Sequence, residues 1–197
     1  MTKLDHRRVQ VERRTSETDI RCLLDLDGSG QASISTGIGF LDHLLVSLAK
    51  HARFDLELSC KGDLQIDDHH TAEDCALALG KALDQALGDR AGIARFGSAY
   101  APLDEALARA VVDLSGRPSP HIDLGLSRGA LGALACESVE HVLASLAIAA
   151  RATLHVDLLK GRNDHHRAEA AFKATALALR QAVARGGIAI PSTKGVL

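Results

Sequence analysis

The chain has 197 residues, 46% hydrophobic, 24% charged and 3% aromatic, and a formal net charge of −2 with histidine neutral. That apolar fraction excludes disorder, and the near-neutral charge gives no broad nucleic-acid face. The longest uncharged apolar run, nine residues over 142–150, is too short to span a membrane.

Taken in chain order, Ile20, Cys22, Leu24 and Leu26 alternate with Arg21, Leu23, Asp25 and Asp27, mostly apolar against polar, which predicts a half-buried strand. Asp27-Gly28-Ser29-Gly30 is a turn signal, and alternation resumes at Ala32 and Ile34, so a hairpin is expected here. Helical spacing over 40–50, a strand over 54–60, a Gly62-Asp63 turn and an Ala/Leu-rich helix over 71–87 follow. The second half repeats that order: strands near 110–114 and 121–126, a helix near 135–150, a strand over 153–158, a turn at 160–163 and a helix from 164 to about 184. Asp68 and Asp164 stand where helix N-caps are expected. The fold class expected is α+β, two β-β-α-β-α halves with helices packed on mostly antiparallel sheets. Four scattered cysteines (Cys22, Cys60, Cys75, Cys136) without a CxxC, and an N-terminus without an apolar leader core, predict reduced thiols and a cytoplasmic location.

The repetition reaches individual residues. Asp68-His69-His70-Thr71-Ala72-Glu73 matches Asp164-His165-His166-Arg167-Ala168-Glu169 at an offset of 96, and 10 of 19 positions are identical as far as Ala86 and Ala182. Upstream, the seven residues from His43 match those from His141 at an offset of 98, five of them identical. Alanines match easily in Ala-rich helices, so the weight falls on the histidines and glutamates. The expected organisation is one pseudo-twofold domain over 1–197: repeats of about 1–92 and 93–190, then a tail over 191–197.

Residues i and i+4 share a helix face, so His69 lies over Glu73 and His165 over Glu169. Each pair can grip one metal ion. Adjacent helical residues point about 100° apart, so His70 and His166 do not easily reach the ion their neighbours hold. With His43 and His141, eight ligands make two pseudo-equivalent sites. Symmetry suggests His43, His69, Glu73 and His166 in one, and His141, His165, Glu169 and His70 in the other, with a neighbouring subunit as a second source. A single such motif reads more simply as surface or capping histidines; two in register, with a repeated upstream histidine, read as metal ligands. Imidazole and carboxylate donors suit Mn, Fe, Zn, Co or Ni.

These residues resemble imidazoleglycerol-phosphate dehydratases. The resemblance is carried by Gly37-Ile38-Gly39-Phe40-Leu41-Asp42-His43, by Asp67-Asp68-His69-His70-Thr71-Ala72-Glu73-Asp74, and by the nine residues from Gly161 to Glu169. Arg13-Arg14-Thr15-Ser16-Glu17-Thr18 and Pro191-Ser192-Thr193-Lys194-Gly195-Val196-Leu197 extend it along most of the chain. It implies a hydro-lyase of histidine biosynthesis, dehydrating imidazoleglycerol phosphate to imidazole acetol phosphate through a metal-bound imidazolate. It implies two Mn²⁺ per subunit, a fold like domain 2 of ribosomal protein S5, and a 24-subunit octahedral assembly with shared active sites. Neither nucleic acid nor membrane is an expected partner. Val46-Ser47 departs from the acidic residue and Gln that relatives often carry there, and Leu143-Ala144 replaces bulkier residues.

The resemblance also assigns roles. Glu17, otherwise an ordinary strand-end acid, becomes the catalytic proton carrier and a substrate contact. Arg95, Arg117, Ser192 and Lys194, otherwise surface polar residues, become phosphate-binding residues. From its place alone, one turn past Glu169, Lys173 points toward the metal end of its helix and is expected to contact the substrate. His155, on an apolar strand, is expected in the core or behind the ligands. The competing readings are a dinuclear metallohydrolase with the same ligands and a non-enzymatic metal-binding shell in which Arg117 and Lys194 are dispensable.

Overall fold

The computed structural model describes residues 7–193 and 195. In the first half, β1 (Arg8–Arg14) and β2 (Thr18–Asp25) form a hairpin, followed by β3 (Ala32–Ser35), α1 (Gly39–Ala52), β4 (Asp55–Gly62) and α2 (His69–Leu87). The second half runs β5 (Phe96–Leu103), β6 (Ala106–Asp113), β7 (Ser119–Asp123), the short β8 (Ala130–Leu131) and β9 (Leu134–Ala135), α3 (Cys136–Ala149), β10 (Thr153–Lys160) and α4 (Asp164–Ala182). The sheets have the same topology, β1-β2-β4-β3 and β5-β6-β10-β7. In each, three strands are antiparallel and the fourth runs parallel to its neighbour across a helical crossover. The architecture is thus α+β with duplicated β-β-α-β-α units, and each half carries one further strand in front.

The expected hairpin between β2 and β3 does not form. β2 pairs with β1 and β4, and β3 is the parallel edge strand beside β4. Asp55 explains the redirection: its Oδ1 accepts the backbone N–H groups of Ser29, Gly30 and Gln31 at 2.8, 3.0 and 2.9 Å, which swings the chain around the start of β4. β1 escapes sequence reading because only Val9 and Val11 are apolar among its seven residues; charge on an edge strand discourages unwanted pairing. Asp68 holds the N-cap position of α2 as expected, though its side chain makes no capping bond, and on α4 the N-cap is Asn163 instead of Asp164. Asp67 Oδ1 and Asn163 Oδ1 accept the N–H groups of His69 and His165 at 2.9 and 3.0 Å. Asp68 and Asp164 instead reach across the molecule: Asp68 accepts the N–H of Ala135, and Asp164 those of Ser127 and Arg128.

The core lies between the sheets and the helices, and small residues let the layers close. Ala168, Ala170, Ala171, Ala174, Ala176, Ala178 and Ala182 on α4 are fully buried. Where α2 crosses α3, a Cβ on Gly80 would come within 2.5 Å of the Leu146 carbonyl oxygen and 2.7 Å of Ala149 Cβ. These contacts pack α2 against α3, and α1 against α4. Each half's first helix therefore lies on the other half's second helix.

Candidate metal centre

That crossed packing decides which ligands meet. His43 on α1 joins His165 and Glu169 on α4; His141 on α3 joins His69 and Glu73 on α2. In each trio one donor atom per residue lies within 4.8 Å of the others. His43 Nε2 is 3.1 Å and His165 Nε2 3.4 Å from Glu169 Oε2. In the second trio Glu73 Oε1 is 3.1 Å from His141 Nε2, and Glu73 Oε2 is 3.8 Å from His69 Nε2. The expected grouping is corrected here. The upstream histidines are exchanged between halves, and His70 and His166 join neither trio.

The donor set fits a divalent cation. His141 Nε2 is buried and makes no hydrogen bond, although a carboxylate oxygen stands 3.1 Å away, and its ring stacks on that of His69 with centroids 4.9 Å apart. A buried polar atom left without a partner is costly unless another group completes it. Glu169 is ready as an anion: burial alone would raise its carboxyl, but hydrogen bonds from Lys173 and His43 outweigh this and bring it to about 2. Lys173 Nζ is 2.6 Å from Glu169 Oε1.

His70 and His166 point elsewhere and are alike. Asp63 Oδ2 is 3.0 Å from His70 Nδ1, and Glu105 Oε2 is 2.7 Å from His166 Nδ1. A second carboxylate lies 3.8 Å from each Nε2, Glu17 for His70 and Asp104 for His166. The hydrogen bonds to Asp63 and Glu105 raise the two imidazoles above their ordinary value. Glu105 itself is drawn down to about 2 by His166 and the N–H groups of Asn163 and Arg162. Sequence reading missed Asp63 and Glu105, which sit in turns outside the repeated helical motif.

Glu17 occupies the exposed β1–β2 turn. Asp74 holds that turn against α2, accepting from Arg13 Nη2 at 2.6 Å and from Thr18 Oγ1 at 2.5 Å. Arg95 is engaged by the protein: it donates to both carboxylate oxygens of Asp113, at 2.7 and 3.0 Å, and to the Pro191 carbonyl at 2.7 Å, which anchors the C-terminal segment. Arg117 is exposed, and Ser192 is half-buried in that segment. Lys194 lies outside the described residues. The strand β6 separates Asp113 from the Glu105 turn, a span of roughly 20–25 Å for seven strand steps. Arg95, Arg117 and Ser192 thus gather at the end of the second sheet away from the clusters. His155 is exposed, not in the core; it stacks on His121 with ring centroids 4.3 Å apart, because β7 and β10 place the two side by side. Val46 is exposed, whereas Ser47 is buried with its Oγ unbonded.

A family model described as imidazoleglycerol-phosphate dehydratase matches residues 36–179. A protein of that name from Salinibacter ruber is 54% identical over 193 residues, covering 97% of this chain and 96% of its own. One from Phytophthora nicotianae is 62% identical over 192 residues, and there the chain spans 42% of the relative's length. Among solved structures, imidazoleglycerol-phosphate dehydratase from Staphylococcus aureus has a TM-score of 0.81 at 36% identity, covering 89% of this chain and 98% of that one. The Pyrococcus furiosus protein has a TM-score of 0.82 at 36% identity, covering 95% and all of the respective chains.

Proposed function

The chain belongs to the imidazoleglycerol-phosphate dehydratase family, hydro-lyases of histidine biosynthesis, and we propose that it performs this dehydration with its two histidine–glutamate clusters as a pair of metal centres. The substrate is imidazoleglycerol phosphate and the product imidazole acetol phosphate. The observation that carries the metal reading is the pair of trios, His43, His165 and Glu169, and His69, Glu73 and His141, one of them with a buried imidazole nitrogen that makes no hydrogen bond. Mn²⁺ suits these donors, two ions per subunit, and other divalent transition metals share the preference. A bound cation supplies Lewis acidity that eases loss of the ring N–H proton.

The remaining work falls to side chains. The carbon that must lose a proton stands one bond from the ring-bearing carbon that loses hydroxide. Glu17 takes that proton on its carboxylate; the resulting enol becomes the ketone when a proton returns to the ring-bearing carbon. Lys173 holds Glu169 ionised, so the trio keeps its anionic donor. Phosphate is bound by Arg117, Arg95, Ser192 and Lys194. The distance of Arg95, Arg117 and Ser192 from the trios within one chain supports active sites shared between copies, as in a 24-subunit octahedral assembly. His70 and His166, facing away from their own trios, complete the sites of neighbouring copies. The four cysteines are all free, which accords with a cytoplasmic setting.

The assay that tests this follows the products. A ketone with phosphate retained supports dehydration, whereas release of inorganic phosphate would point to hydrolysis. Arg117→Ala raises KM steeply if phosphate docks there.

A further inference from the structure

The two hairpins repeat at their own spacing. Arg14 faces Asp19 and Arg8 faces Asp25 in the first, and in the second Phe96 faces Asp113 in the register that follows if every hairpin residue has its counterpart 88 positions on. On that count Glu17 corresponds to Glu105. The His-His motifs repeat at 96, so direct comparison of the halves conceals the match.

The paired glutamates nevertheless behave differently. Glu105 Oε2 is bonded to His166 Nδ1, and Glu105 Oε1 accepts the N–H groups of Arg162 and Asn163 at 3.1 and 2.8 Å. Glu17 approaches His70 from the other ring edge and leaves Nδ1 to Asp63. Asp63 Oδ1 is buried without a hydrogen bond, while its Oδ2 meets the imidazole. Counted from the ends of the equal-length strands β4 and β10, the counterpart of Asp63 is Gly161. A Cβ there would press within 2.9 Å of Arg167 Cγ and 3.0 Å of Ala106 Cβ, so the second half has no room for a carboxylate at this position.

We propose that Asp63 and Glu105 are positioning residues that hold His70 and His166 through Nδ1 and present their Nε2 lone pairs as ligands. Asp63 thereby frees the first-half hairpin carboxylate, Glu17, for proton transfer. The inference rests on the reading that these two histidines complete the metal sites of neighbouring copies. An imidazole whose Nδ1–H is held by a carboxylate has its tautomer and ring plane fixed, and loss of such a partner weakens metal binding by roughly 10- to 100-fold. At 3.8 Å, Glu17 and Asp104 are beyond hydrogen-bond length from Nε2 and do not compete for that edge.

The test is a chelator titration of the Mn²⁺-loaded protein, with bound metal read by elemental analysis and particle size by light scattering. The variants are Glu105→Ala, His166→Ala and the double mutant, with Asp63→Ala and His70→Ala as the matching set. Each single variant should release Mn²⁺ at roughly 10- to 100-fold lower chelator concentration. Each double mutant should release it no earlier than the histidine variant alone, because the carboxylate acts through that ring. Glu105→Gln keeps one acceptor oxygen where the carboxylate uses two, so it serves the ring or the loop but not both, and should release Mn²⁺ at a chelator concentration between those of the parent and the histidine variant even if the alanine variant assembles poorly. If His166→Ala loosens the metal but Glu105→Ala does not, or if the two effects add in full, the positioning role is overturned and the ligand reading stands. Metal held as tightly in His166→Ala as in the parent would overturn both.

Discussion

Glu17 sits at a turn whose two flanks are tied to one carboxylate, since Arg13 and Thr18 both bond Asp74. The amide in Glu17→Gln keeps the shape and removes the base. A drop in kcat of about 10²- to 10⁴-fold is expected, with Mn²⁺ content unchanged by elemental analysis. A near-normal kcat would take Glu17 out of the chemistry. At this scale the sequence showed the histidines and glutamates plainly, because two helices repeat them in register. It concealed their company. Asp63 follows a strand and Glu105 lies in a hairpin that repeats at a different spacing, so neither shares the offset that exposes the repeated histidines and glutamates. Arg95, a phosphate residue on the resemblance, is bound to Asp113 and Pro191, a pairing between residues far apart in the chain that no local pattern foretells.

Helix packing transmits sequence into the histidine–glutamate clusters. Gly80 lets α2 and α3 approach closely, and His141 reaches Glu73 only because they do. Gly80→Leu should destabilise the protein by about 1–3 kcal/mol through overpacking. It should empty the His69, Glu73 and His141 cluster selectively, so that elemental analysis finds one ion per chain where the parent is expected to hold two. The turn before β3 offers a pH test. The N–H of Gln31, with those of Ser29 and Gly30, holds the Asp55 carboxyl below its ordinary value despite partial burial. A carboxyl lowered in the folded state stabilises above its unfolded value of about 4, and that contribution fades as pH falls through the folded value. Asp55→Asn should therefore lower the urea midpoint at pH 7, and the gap from the parent should close as pH drops below about 4. A constant gap would contradict the assignment. The helices and most strands were legible from periodicity. The partner of β2 was not, because three backbone bonds to Asp55, not the turn residues alone, set where the chain goes next.

On the scale of the whole molecule, the trios stand at one end of the sheets while Arg95, Arg117 and Ser192 stand at the other, and the proposal of active sites shared between copies rests on that separation. Chelation of the purified protein should split a large particle into smaller oligomers, followed by light scattering, and Mn²⁺ should restore it. An unchanged particle after complete metal removal would separate assembly from metal. The duplication was legible from residues in register, but the exchange of His43 and His141 between halves was not. It follows from α1 lying on α4 and α2 on α3, a fact of three-dimensional packing.

That exchange bears on ancestry. A half-length chain with one upstream histidine and one His-x-x-x-Glu helix would hold no full trio in its own first and second helices, and only two such chains embracing would bring one together. Joining two such halves in one chain makes that partnership permanent and lets their sequences differ, as where Gly161 stands opposite Asp63 in the repeat.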